Sequence, residues 1–272
     1  MRIFVGTLYS GENEYEECLS SIRAQGYKNY QHFIFKDLPN KQAHVTLFSS
    51  FLERSDEFDL LIKVDADMVL ADDNLFGKIV QKMENNPWMD LFAVAVHDFF
   101  SNQLIWGLNS YRTSVRWNFA KDTIFVDIPE VPQDRILFDT TELAPAAIHC
   151  KNPSLYQAFH YGIHRGLKSL QDIHAKSHWD LLTRMLKNFQ RTKDVRIGLA
   201  CLGVELAYAN LFEIKDLDYT NPGIKTILQN YALFDAVQLD REIKKRRLAN
   251  WGMLPGGIRR RILRYRRHRA EP

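Results

Sequence analysis

The chain of 272 residues has little cysteine: Cys18, Cys150 and Cys201 are far apart and odd in number, and no Cys-x-x-Cys pair occurs. That argues against a disulfide framework and leaves reduced thiols, as expected of a cytosolic protein. It also lacks any run of 18 apolar residues, so no transmembrane helix is expected. The opening Met1-Arg2-Ile3-Phe4-Val5 has no apolar signal region and reads as a strand that begins at once. Internal repeats are absent, and the one biased segment is a basic tail. What is present is apolar material for a core, 46% hydrophobic and 12% aromatic residues, enough for one large domain or a domain with an appendage.

The total charge of +3 conceals an asymmetry. Residues 241–272 hold twelve Lys or Arg against Glu242 and Glu271, a local +10 that leaves −7 for the rest. Body and tail are electrostatically separate features.

Over the first 100 residues strands alternate with helices. Segments 2–8, 30–36, 59–64 and 91–96 read as strands. Between them, Tyr15, Cys18, Leu19 and Ile22 recur at helical spacing, as do Val45, Phe48, Phe51 and Leu52, and then Leu75, Phe76, Ile79, Val80 and Met83. This order predicts an α/β fold with a mostly parallel sheet flanked by helices, whose ligands bind beyond the carboxyl ends of the strands. Residues 98–152 look irregular and aromatic, with one short strand at 123–128. From Pro153 onward apolar helices dominate, near 153–170, 179–189 and 195–212. The expected organisation is a core over 1–152, a helical portion over 153–240 and the basic tail over 241–272.

The most informative stretch is Asp59-Leu60-Leu61-Ile62-Lys63-Val64-Asp65-Ala66-Asp67. An apolar run ends in two carboxylates at i and i+2, a spacing that puts both on one side of a strand. Unshared, the two repel and one pKa rises. A divalent cation, with a phosphate or diphosphate as its usual partner, relieves that cost through hard oxygen ligands. Helix capping is the plain alternative, with Asp72, Asp73 and Asn74 close behind.

The run Thr7-Leu8-Tyr9-Ser10-Gly11-Glu12-Asn13-Glu14, then Glu17-Cys18-Leu19-Ser20-Ser21-Ile22, then Gln25-Gly26-Tyr27-Lys28-Asn29-Tyr30, resembles the opening of family 2 glycosyltransferases of the GT-A fold. The Asp-Ala-Asp follows at the family's distance, and the likeness covers residues 1 to about 100. Two features depart from it. Strand two ends Phe35-Lys36-Asp37-Leu38-Pro39 rather than in Asp-Asp-Gly-Ser, and the acceptor-site Glu-Asp pair is not evident. The resemblance implies a nucleotide-diphosphate sugar as donor, with uridine as the family-level base. It implies Thr7, Tyr9 and Glu12 around the nucleoside, Asp37 at the base, Asp65 at ribose or metal, and Asp67 on an Mn2+ or Mg2+ ion. Such enzymes often take a third metal ligand from a downstream histidine, and His149, closing Ala146-Ala147-Ile148-His149-Cys150, fits. Lys41 and His44 are further candidates near the donor. His160 and His164, spaced i and i+4, are candidates for diphosphate or acceptor contact, though they lack the intervening Glu of a metalloprotease.

Inverting transfer needs a carboxylate base for the acceptor hydroxyl. Among Asp98, Asp127, Glu130, Asp139 and Glu142, the strand-end residues Asp127 and then Asp98 are preferred. The tail intersperses Ile258, Ile262, Leu263 and Tyr265 with seven arginines, a pattern suited to an anionic membrane surface. That agrees with a glycan or lipid-linked acceptor and a peripheral place on the membrane's inner face. Nucleic acid is not expected beside an acidic body. Two rival readings stand beside the transferase. One is a haloacid dehalogenase-type phosphatase with Asp65 as nucleophile, opposed by the two strand–helix units that precede the motif. The other is a silent binding domain on the same scaffold.

Overall fold

The computed structural model describes residues 1–119, 127–171, 175–209, 218–219 and 221–253, excepting the side chains of 171, 175–177 and 251–253. It divides into two compact units, Met1–Pro153 and a second beginning at Ser154.

The first unit is an α/β layer structure. Its strands are β1 (Ile3–Tyr9), β2 (Tyr30–Lys36), β3 (Leu60–Lys63), β4 (Met68–Leu70), β5 (Leu91–Asp98), β6 (Gln103–Arg112), β7 (Ile136–Asp139) and β8 (Ala147–His149). The helices are α1 (Tyr15–Arg23), α2 (Asn40–Leu52) and α3 (Leu75–Asn85). The sheet runs β2-β1-β3-β6-β5-β8-β4, with β7 on β5.

It is mixed and largely parallel. The β1–β2, β1–β3, β5–β7 and β5–β8 ladders are parallel, whereas β6 lies antiparallel between β3 and β5, and β4 antiparallel to β8. The corrected element is β6, in the stretch that looked irregular. Its apolar residues are partly exposed, Leu104 and Trp106 among them, and Asn109, Ser110 and Arg112 break the alternation. Its hairpin with β5 turns without glycine or proline. Asn102 takes a φ of 52°, and the Asp98 carboxylate accepts from the backbone and hydroxyl of Ser101. The strand expected at 123–128 lies largely outside the described residues.

Alternation along the central strands builds two apolar layers. Ile3, Val5, Ile62 and Val64 face Leu75, Phe76, Ile79 and Met83, while Phe4 and Leu61 face Phe48, Phe51 and Tyr111. The buried faces of α1 and α3 are those expected from spacing. In α2 the buried set is Ala43, Leu47, Phe48 and Phe51, so Val45 and Leu52 lie at the margin. Truncating one of these buried phenylalanines to alanine costs about 3–5 kcal/mol.

The second unit is helical: α4 (Leu155–Gln171), α5 (Ala175–Thr192), α6 (Val195–Tyr208), α7 (Pro222–Gln229) and α8 (Ala236–Met253). Every residue of α6 from Ile197 to Tyr208 is buried. Two glycines let α4 and α6 touch backbone to backbone. A Cβ on Gly162 would stand 1.9 Å from the Ala200 carbonyl oxygen, and one on Gly203 would stand 2.5 Å from that of Phe159. The basic segment expected from residue 241 starts inside α8, and residues 254–272 are outside the described set.

Candidate metal and anion site

Backbone register assembles the site. β3 ends at Lys63, and Val64–Asp67 form the connection to β4, where Met68 N–H bonds the Asp65 carbonyl at 2.9 Å. The two acids thus sit on a turn rather than on a strand's end. β4 pairs with β8 so that Met68 opposes His149, and β8 pairs with β5 so that His149 opposes Asp98. His149 is thereby held between Asp67 and Asp98, and the Cys150 N–H closes onto the Asp67 carbonyl at 2.8 Å.

The side chains follow. His149 Nδ1 lies 2.8 Å from Asp98 Oδ1, and its Nε2 lies 3.3 Å from Asp67 Oδ2. Cys150 Sγ is 3.3 Å from the same Asp67 oxygen and 3.6 Å from His149 Nε2. A carboxylate only accepts, so Nδ1 carries a proton and Nε2 is presented to Asp67. Asp67 Oδ1 is buried without a hydrogen-bond partner among the described residues. Among those residues, Asp67, His149 and Cys150 are the group of three whose ligand atoms could hold a metal ion.

Burial disfavours every charge here, and the neighbours decide the outcome. Burial would lower the His149 pKa, but Cys150, Asp67 and Asp98 raise it well above the ordinary imidazole range. Asp67 and Asp98 are held low despite burial, chiefly by His149. Burial, seconded by Asp67, pushes the Cys150 thiol far up. A cation among these groups would replace the proton on Nε2 and take Asp67 Oδ2 as a donor. The residues present therefore fit a divalent ion.

Asp65 is engaged differently. Both of its oxygens lie 2.6 Å from Lys63 Nζ, whose side chain is 7% exposed against 31% for Asp65. Burial alone would lower the Lys63 pKa, but Asp65 and then Asp127 raise it. Of the two acids expected to share a cation, Asp65 pairs with Lys63, and the candidate ligand atoms beside Asp67 come from the end of β8.

Other expected site residues take varied places. Glu12 accepts from Ser10 N–H at 2.7 Å, and burial with the charges of Asp67 and Asp65 raises its pKa to about 7. Thr7 is fully buried, its hydroxyl 2.9 Å from His32 Nε2 in the neighbouring strand, so its side chain faces the interior rather than a nucleoside. Tyr9 stacks on Tyr15 with centroids 3.9 Å apart, and Lys36 lies over both rings. Asp37 is exposed with φ 55°, its N–H on the Tyr9 carbonyl. Asp98, expected as a candidate base, is wholly buried, with its oxygens on His149 and Ser101. Asp127 acts through its charge on Lys63, His44 and Tyr111, which places it on the Asp65 side. His44 is driven neutral by burial and then by Lys63, with Nδ1 2.9 Å from the Asn40 carbonyl.

In the second unit, His160 and His164 lie 6.5 Å apart by ring centroid, and His160 packs on Tyr219 at 5.0 Å in an aromatic cluster. Sequence reasoning missed Lys63 and Cys150 as members of the site. The adjacency of Cys150 to His149 was the available signal.

No family model matches the chain, and no curated protein does. Among solved structures it is similar to the mannosyltransferase PcManGT from Pyrobaculum calidifontis in complex with GDP-Man and Mn2+. That match has 11% identity and TM-score 0.35, covering 90% of this chain and 86% of that one. S. aureus TarS matches at 10% identity and TM-score 0.37, over 79% of this chain and 50% of that one. A197 from STIV matches at 14% identity and TM-score 0.32, over 41% of this chain and 65% of that one. This chain thus spans less than two thirds of the length of TarS and of A197. Likeness at this level leaves chemistry to the residues of the site.

Proposed function

We propose that the chain is a metal-dependent glycosyltransferase of GT-A type, moving a sugar from a nucleotide-diphosphate donor to a hydroxyl acceptor. The observation that carries this reading is the Asp67–His149 pair. His149 is buried and Asp67 half-buried, Asp98 backs the histidine, and one Asp67 oxygen has no hydrogen-bond partner among the described residues. Asp67 and His149 are the residues to hold a divalent cation. Such a cation, when bound, neutralises charge on a departing diphosphate.

The remaining work falls to the protein. Asp98 keeps a proton on Nδ1 so that Nε2 stays turned towards Asp67. Asp65, braced by Lys63, offers its exposed edge to ribose hydroxyls. Glu12 lies within the field of both acids and completes the anionic rim. In transfer, the acceptor oxygen bonds the anomeric carbon, the diphosphate leaves with the electron pair of the broken C–O bond, and the hydroxyl proton passes to a carboxylate. Asp127 is the base this reading favours, since its charge reaches Lys63 beside Asp65.

A glycan or lipid-linked acceptor is proposed with it. The basic segment at 258–272 is proposed as an electrostatic anchor on an anionic leaflet. No helix among the described residues is long and apolar enough to cross a membrane. Removing 258–272 should release the protein from phosphatidylserine vesicles at moderate salt, and unchanged retention would dismiss the anchor.

The donor site is tested by calorimetric titration of UDP and GDP, with and without Mn2+, into wild type and Asp67→Asn. Metal-dependent binding that disappears in the variant is the expected result. Absence of binding in wild type would return the phosphatase reading to the front.

A further inference from the structure

We infer that Cys150 is a thiolate ligand of the cation site, and that the site therefore selects a thiophilic, tetrahedral ion such as Zn2+ or Co2+ over Mg2+. The inference deepens the metal reading above and rests on it.

Three observations converge. The first is the ligand triangle. Asp67 Oδ2, His149 Nε2 and Cys150 Sγ are separated by 3.3, 3.3 and 3.6 Å. Donors at about 2.0–2.1 Å (N, O) and about 2.3 Å (S) from a tetrahedral zinc lie roughly 3.3–3.6 Å apart. Nitrogen and oxygen donors at right angles on an octahedral magnesium, at about 2.1 Å, lie roughly 3.0 Å apart. The geometry points to the tetrahedral ion.

The second is backbone geometry. Cys150 adopts φ 52°, a conformation uncommon outside glycine, and in it the thiol lies against Asp67 while the Cys150 N–H holds the Asp67 carbonyl. The third is charge and softness. One thiolate and one carboxylate cancel a divalent cation among largely buried groups, and neutral His149 adds a donor without charge. Sulfur and imidazole suit zinc and cobalt, whereas magnesium keeps its waters and prefers oxygen. Three protein donors leave the fourth tetrahedral position for a phosphate oxygen or water. On binding, the S–H bond breaks, its proton goes to solvent, and the sulfur electron pair forms the S–metal bond.

The test is Co2+ titration of the full-length reduced protein. Expected is one ion per chain with intense tetrahedral d–d bands and a near-ultraviolet sulfur-to-cobalt charge-transfer band. Zn2+ should displace the ion, and a large excess of Mg2+ should not. Cys18→Ser and Cys201→Ser should keep the charge-transfer band. Cys150→Ser should lose it and weaken Co2+ by at least the 10–100-fold typical of losing an outer-shell partner. X-ray absorption of the zinc-loaded wild type needs no variant and should show one sulfur at about 2.3 Å.

Three results overturn the inference, and they are distinguishable. Stoichiometric Co2+ that Asp67→Asn abolishes, but without a sulfur band or sulfur shell, removes Cys150 and leaves the metal reading intact. No Co2+ or Zn2+ uptake by a wild type that still binds nucleotide with Mn2+ removes the inference alone, and absence of all of these removes both.

Discussion

Asp65 and Asp67 are separated by one alanine, and the fold sends them into different chemistry. Asp65 lies on the side of β3 that carries Leu61 and Lys63, and a buried lysine answers its charge. Asp67 lies towards β8, where His149 answers its charge, and one of its oxygens is left over. The first acid is electrostatically closed and the second is open. Asp65 is answered by a lysine two residues back at the end of β3, Asp67 by a histidine of another strand. A carboxylate pair is therefore better judged by which cations the neighbouring strands supply than by the spacing of the pair.

That contrast can be broken by mutation. Asp67→Asn should give the largest effect, abolishing metal-dependent nucleotide binding and transfer while the circular dichroism spectrum is kept. An active, cation-responsive variant would erase the distinction between the two acids. Asp98→Asn removes the charge behind Nδ1 and should weaken cation affinity by about 10–100-fold, read by metal titration. Lys63→Met strands Asp65 beside an apolar wall. It should cost about 1–3 kcal/mol in denaturant unfolding, below the usual range for a broken buried pair because Asp65 is partly solvated. Its cation affinity should hold or rise, and a fall like that of Asp67→Asn would mean that the halves act as one.

A further effect concerns Glu12, whose charge is felt by both acids. Its folded pKa of about 7 stands above the ordinary 4.5, so between those values the native state binds more protons than the unfolded state. Stability then falls as pH rises from about 4.5 to 7, by up to about 3 kcal/mol, and Glu12→Gln should flatten that slope. Unfolding midpoints measured across this range check it. Saturating cation should also flatten the slope by offsetting the two acids.

Sequence periodicity found the inward faces of α1 and α3, because a helix on a sheet needs one unbroken stripe. It missed β6, whose flank is partly open and whose hairpin turns on Asp98, Ser101 and Asn102 instead of glycine. At the site, spacing singled out Asp67 and the end of an apolar run singled out His149. What stayed hidden were relations across strands. Nothing in the spacing of Asp98 and His149 says that they are opposed in register, so the contact between them could not be read from the sequence. Lys63 read as one more strand residue because its partner lies on a turn the pattern did not foresee. Cys150 was counted among reduced thiols, and its place against Asp67 appears only when β8 is laid against β4.

The buried run of α6 has a consequence for measurement. With every side chain from Ile197 to Tyr208 covered, and α4 pressed against it through Gly162 and Gly203, no local fraying can expose its middle without parting the two helices. Its central amides should exchange with deuterium only when the second unit opens as a whole, giving that unit its own stability gauge, read independently of whatever occupies the first.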